Sequence, residues 1–175
     1  YNWIVQKTNE YIMSDEITFL SPMPYKKEYF EKIKRIVIRK DSYDNKRVFL
    51  NRNKSTGRYI KNFHEIIPIL KKYKFEIIDT NNKTLDFQAN LFNSIQFLVS
   101  IHGAGETNII FSKKILRFLE INPANRISCQ YYWLSKELQI EYYDVILGKE
   151  LPITNIYPEG GFYLEPKKLD DAINR

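Results

Sequence analysis

The chain has a single cysteine, Cys129, so no disulfide can close within it, which suits a reducing compartment. It has only two histidines, His64 and His102, and no Cys/His cluster at zinc spacing. A Walker loop, a Gly-x-Ser-x-Gly elbow and the Asp-x-Asp pair that often holds a divalent metal on a nucleotide sugar are all missing. No metal and no cofactor are therefore expected. Any phosphate chemistry would fall to arginines and backbone N–H groups. No apolar run approaches the ~18 residues of a membrane span; stretches such as "IIPIL" and "FLV" are core-sized. The opening "YNWIVQKTNEY" lacks the basic head and apolar block of a secretory leader. Glycine is scarce, with six in 175 residues, so two of them in "SIHGAGETNIIF" stand out.

What is present fits one folded domain: 43% hydrophobic and 15% aromatic residues. The net charge of +6 and pI near 9.2 raise the odds of a polyanionic partner. Lysine pairs such as Lys71-Lys72 and Lys113-Lys114 read most simply as solvated surface.

Residues 1–24 give no clean period, and "SPMP" reads as a linker because its two prolines disfavour helix and central strand. Tyr29, Phe30, Ile33, Ile36 and Val37 fall at helical spacing. "VFL" predicts a buried strand, followed by the polar loop "NRNKSTGRYIKN". Phe63, Ile66, Ile67 and Leu70 mark a helix starting near His64, with Pro68 expected near its first turn. "FEII", "FLVSI", "ILRFLEI" and "IEYYDVI" predict four further strands. Between them lie helices at "LDFQANLFNSI", capped by Thr84, at Glu106 to Phe111, and around Tyr131, Leu134 and Leu138. A last helix starts near Pro166. Strands alternating with helices predict an α/β fold, Rossmann-like and doubly wound, with a mainly parallel sheet of about five to six strands.

In such folds ligands bind beyond the carboxyl ends of the strands, where the strand order reverses. Gly103 and Gly105 follow a strand and precede a helix, so backbone N–H groups and the positive helix end would meet an anion there. Ala104 lies between them, and Thr107 and Asn108 add short polar side chains. An isolated Gly-x-Gly is more often a tight turn than a ligand site. His102, beside the glycines, is a candidate for phosphate contact, for acid or base work, or for capping the loop. Arg52 and Arg58 flank a Ser/Thr/Gly loop and have the two-pronged geometry that suits phosphate; a solvated basic loop is the competing reading. Glu120 ends a strand, where a carboxylate suits ribose hydroxyls. His64 belongs to a helix start and is given no chemistry.

Taken in order, these segments resemble the glycosyltransferase 61 family. "VFLNRNKSTGRYIKN" offers Arg52, Arg58 and Asn62; Gln88 and "FLVSI" lead into "HGAGETNIIF"; "FLEINP", "LQIEYYDV" and the tail "FYLEPKKLDDAI" follow. The resemblance runs from about Lys46 to Arg175. Glu106 departs from the family's usual leucine, and Ser112-Lys113-Lys114 from its Pro-Gly turn.

The resemblance implies an inverting glycosyltransferase of GT-B architecture, with this chain its carboxyl-terminal, donor-binding half. Residues 1–45 would be linker and helix from the preceding region, and residues 46–175 the nucleotide-sugar-binding domain. The amino-terminal domain would lie largely outside the chain, which alone would then lack turnover. The expected substrate is a nucleoside-diphosphate sugar, a UDP-sugar foremost, and the acceptor a carbohydrate or glycan hydroxyl in surface polysaccharide synthesis. Arg52, Arg58, Gly103, Ala104, Gly105, Thr107 and Asn108 would meet the diphosphate, Glu120 the ribose, and His102 the reacting centre. The expected compartment is the cytoplasm, including the inner face of a membrane. The secretory lumen is the alternative, although a glycan on the Asn53 sequon would crowd the proposed phosphate loop. The competing functions are a non-catalytic basic module for nucleic acid, which the absence of aromatic–basic interleaving disfavours, and a degenerate transferase domain, for which Glu106 is the motive.

Overall fold

The computed structural model describes residues 25–38, 44–52, 54, 58–150, 153–154, 157–158 and 160–175. The "SPMP" linker expected from the sequence lies outside them. Helix α1 (Lys27–Val37) leads to strand β1 (Lys46–Leu50), the short β2 (Tyr59–Ile60), α2 (Phe63–Lys72) and β3 (Glu76–Ile78). Then come α3 (Leu85–Asn93), β4 (Ile95–Ile101), a 3-10 helix (Ala104–Phe111) and β5 (Arg117–Pro123). The chain continues through α4 (Gln130–Glu137), β6 (Tyr142–Gly148), β7 (Ile153–Thr154), β8 (Tyr157–Pro158), β9 (Gly161–Phe162) and α5 (Pro166–Asn174).

Five strands form one parallel sheet in the order β3-β1-β4-β5-β6. The molecule is thus α/β and Rossmann-like, as the alternation predicts. β1 lies between β3 and β4, so the chain winds outward in both directions from it. This is where the strand order reverses.

Alternation along the strands sorts the core into two layers. Phe49, Phe97, Val99, Leu119 and Ile121 face α2 and α5, meeting Ile66, Leu70, Leu169 and Ile173. Val48, Leu50, Leu98 and Phe118 face the other way, against Ala89, Phe92, Ile109, Tyr131 and Leu134. Phe30, Ile33 and Val37 of α1 pack on this second layer. A parallel sheet buried on both faces gives the near-continuous apolar runs seen in the sequence.

Two local details differ from the sequence reading. Pro68 sits in the second turn of α2, and the backbone bond it forgoes is to the carbonyl of His64 at the exposed start of the helix, where water can replace it. The polar loop after β1 contains β2, which pairs in parallel with β9, more than a hundred positions later. Local composition carries no trace of such a distant pairing. Thr84 caps α3 as expected, accepting from the Phe87 N–H at 3.2 Å.

Asn62, just before α2, fastens β2 to the link between β9 and α5. Its side chain is buried, donates to the Leu164 carbonyl at 2.8 Å and accepts from the Leu164 N–H at 3.1 Å. Asn62→Ala would leave both backbone groups unpaired in the core. A loss of about 1–3 kcal/mol is expected, read as a lower urea midpoint at unchanged slope.

Candidate functional site

The apolar stripe facing α3 and α4 turns polar near the carboxyl end of the sheet. In β4 the residues after Leu98 on that face are Ser100 and then His102; in β5 Phe118 is followed by Glu120 and Asn122. The register sets Ser100 beside Glu120, and the His102 N–H donates to the Ile121 carbonyl at 2.9 Å, extending the ladder by a residue. Ser100, His102, Glu120 and Asn122 are all buried, and Glu106 of the 3-10 helix joins them at 0% exposure.

Glu120 is the hub. One carboxylate oxygen meets His102 Nδ1 and accepts from the Asn122 amide at 2.8 Å; the other accepts from the Tyr143 hydroxyl. Burial, reinforced by the bond to Glu120, pushes the Tyr143 phenol far above its ordinary range, so it stays a donor. Glu106 accepts from the Ser100 hydroxyl and from the Gly103 N–H at 3.2 Å, while its own N–H donates back to the Gly103 carbonyl at 3.0 Å. Its second oxygen lies 3.6 Å from His102 Nδ1. Burial first, then the nearby charge of Glu120, raises the Glu106 carboxyl well above the ordinary carboxylate range.

This cluster fixes the loop above it. The Tyr131 hydroxyl donates to the Gly103 carbonyl at 2.7 Å, and Arg52 Nη1 donates to the His102 carbonyl at 2.8 Å. Gly103 leaves room for that guanidinium: a Cβ there would overlap Nη1 and lie 2.9 Å from Cζ. The open side of Gly103, which the sequence reading gave to a ligand, is filled by Arg52. Burial lowers the Arg52 pKa, but an arginine keeps its charge throughout the biological range.

Above the loop, at the switch point, lies a cleft of about 490 Å³. Of the residues singled out in the sequence, Arg52, Gly103, Ala104, Gly105 and Asn108 line it. Arg58 is half-buried and Thr107 exposed, and neither is among the lining residues. Thr107 instead approaches the Tyr131 hydroxyl at 3.4 Å.

His102 and Glu120 lie beneath the cleft and are not among its lining residues. His102 is 4% exposed, held by Glu120 and packed edge-on against Tyr131. Glu120 is wholly buried, with both oxygens engaged. Glu106 likewise turns its carboxyl down into the cluster, away from any phosphate in the cleft.

The sequence reading passed over the loop after β3. Asp79, Thr80, Asn81 and Asn82 form a wall of the cleft, and Gln88 closes it from α3. The signal was available, because "IIDTNN" follows a strand end just as "IHGAG" does. Gln88 accepts from the Asn108 amide at 2.8 Å and donates to the Lys83 carbonyl at 2.9 Å, which ties this wall to the 3-10 helix.

His102, Glu106 and Glu120 are also the residues, among those described, whose ligand atoms come close enough to hold a cation, all within 4.8 Å of one another. The same atoms already bind Ser100, Asn122, Tyr143, the Gly103 N–H and each other. A cation would have to displace those bonds at full burial.

A model of the glycosyltransferase 61 family matches residues 3–118 of the chain. The match ends in β5, two residues before Glu120, and takes in Arg52, Gln88 and the whole of "HGAGETNIIF". No curated protein matches the chain.

The raised Glu106 carboxyl gives stability a pH dependence of definite sign. The folded state holds this proton more tightly than the unfolded chain does. Its contribution is therefore complete below the ordinary carboxylate range and shrinks as pH rises through the window up to the elevated folded-state pKa. Urea midpoints of Glu106→Gln and the unaltered chain, compared from pH 4 upward, are expected to show the decline only where the carboxyl is present. Parallel curves would count against a buried, proton-holding Glu106.

Proposed function

Because this chain belongs to the glycosyltransferase 61 family, we propose that it is the donor-binding part of an inverting, GT-B-type transferase whose donor is a nucleoside-diphosphate sugar. The observation that carries this reading is the cleft at the reversal of strand order, with one arginine and the Gly103–Gly105 turn on its floor. Residues 46–175 would form the nucleotide-sugar domain, and residues 1–45 would lead into it from a preceding region. The acceptor would be a glycan hydroxyl, with synthesis of surface polysaccharide in the cytoplasm or at the inner membrane face as its setting.

In the reaction, the acceptor oxygen forms a bond to the anomeric carbon from the face opposite the diphosphate. The bond from that carbon to the diphosphate oxygen breaks, and the diphosphate leaves with the electron pair. The acceptor's proton passes to a base outside the described cleft; His102 is too deeply held to take it. Arg52 is well suited to the leaving charge. Its guanidinium donates to the His102 carbonyl at 2.8 Å and lines the cleft, and a fixed cation of this kind needs little reorganisation as charge develops. Ala104 and Gly105, the first residues of the 3-10 helix, line the same cleft, and the first N–H groups of a helix have no partner within it. In this reading the phosphate is neutralised without a metal.

Calorimetric titration with UDP and with GDP, each with and without EDTA, tests the reading. One of the two is expected to bind in both buffers. Arg52→Ala should weaken that binding by about 10- to 100-fold, the range for a charge-assisted hydrogen bond. Gly103→Ala should do likewise by displacing the guanidinium. Absence of binding by the folded protein at millimolar nucleotide would overturn the proposal.

A further inference from the structure

We propose that Asp79 holds the ribose hydroxyl pair of the nucleotide; the inference rests on reading the cleft as a nucleotide site. Asp79 is the first residue after β3, which flanks β1 on the side opposite β4. The strand ends are tied together: Leu50 is in register with Ile78, and the Asn51 N–H donates to the Ile78 carbonyl at 2.8 Å. Asp79 therefore opens onto the same crevice as Arg52 and the Gly103–Gly105 turn, and it lines the same cleft. Doubly wound nucleotide folds place an acidic residue one β-α-β step after the first strand and use it for ribose hydroxyls. By its position in the sheet, Asp79 is that residue here.

Charge gives an independent reason. Among the described residues that line the cleft, Asp79 is the acid and Arg52 the cation; the rest of the lining is neutral. A carboxylate is a poor neighbour for a diphosphate and a good acceptor for hydroxyls. The one cleft thus offers a cation to a diphosphate and a carboxylate to hydroxyls. Glu106 and Glu120 are wholly buried and are not among the lining residues.

The wall is also held in shape. Asp79 Oδ1 accepts from the Asn81 N–H at 2.8 Å. Asn82 takes the left-handed conformation that closes the turn, at φ 58°. Thr80 Oγ1 would lie 3.6 Å from a Cβ on Gly105, so the two walls nearly touch at that point.

The test is calorimetric titration of the unaltered chain, Asp79→Ala and Asp79→Asn with UDP and 2′-deoxy-UDP, and with GDP and 2′-deoxy-GDP. The unaltered chain is expected to bind the ribose form about 10-fold more tightly than the deoxy form. Asp79→Ala should lose that discrimination by weakening the ribose form more than the deoxy form, which keeps only the 3′ hydroxyl. Asp79→Asn keeps an acceptor for the Asn81 N–H and should lose part of it, which separates hydroxyl recognition from a collapsed loop. Discrimination that persists in both variants, or equal weakening of ribose and deoxy forms, would overturn the inference while leaving nucleotide binding intact. Failure of the unaltered chain to bind any of the four nucleotides would remove the nucleotide reading itself, and this inference with it.

Discussion

Two carboxyl groups and an imidazole buried together beneath one loop are the constraint from which the site follows. Burying a carboxylate costs several kcal/mol unless its oxygens are paired. Glu120 meets that condition through His102, Asn122 and Tyr143. Glu106 meets it through Ser100 and the Gly103 N–H, with burial favouring its protonated form. A half-satisfied cluster would be worse than an apolar one, so these partners restrict one another. With His102 fixed, its carbonyl has one place to be, and that carbonyl is where Arg52 anchors.

Rigidity is thereby moved from below the sheet end to above it. The loop that follows β4 is held by bonds to two successive carbonyls: Arg52 on His102 and Tyr131 on Gly103. The 3-10 helix that follows is joined through Asn108 to Gln88 on α3. A cleft bounded in this way presents a cation and N–H groups in set positions. Leucine at position 106 would fill the same space with apolar contact. Glutamate fills it with hydrogen bonds and couples the loop to pH.

The layout of the fold was legible because the sheet is buried on both faces and its strands are apolar runs cut by turns. Thr84, Pro166 and the helix around Tyr131 declared themselves by local chemistry. The site was legible only in part. Arg52, Gly103 and Gly105 all line a crevice, and the space beside Gly103 is taken by the Arg52 guanidinium. His102 and Glu120 looked like reacting or binding groups, because a polar residue at a strand end has the same appearance in sequence whether it faces the cleft or lies under it. The strand period does distinguish faces: Leu98, Ser100 and His102 alternate with Val99 and Ile101, as Phe118 and Glu120 alternate with Leu119 and Ile121. It does not reveal which helix covers a face, or how deeply.

The sequence by itself determined the class of fold, the order of its elements and the family, since these depend on periodicity, caps and motif order, all local or collinear. Tertiary structure alone decided which polar residues line the cleft. Depth below the surface depends on what packs above a residue, and here that cover comes from the 3-10 helix and Tyr131 of α4. It also decided the pairing of β2 with β9 and the clip of Asn62 on Leu164. Contacts between residues a hundred positions apart form only once the chain has closed on itself, and no local pattern encodes them.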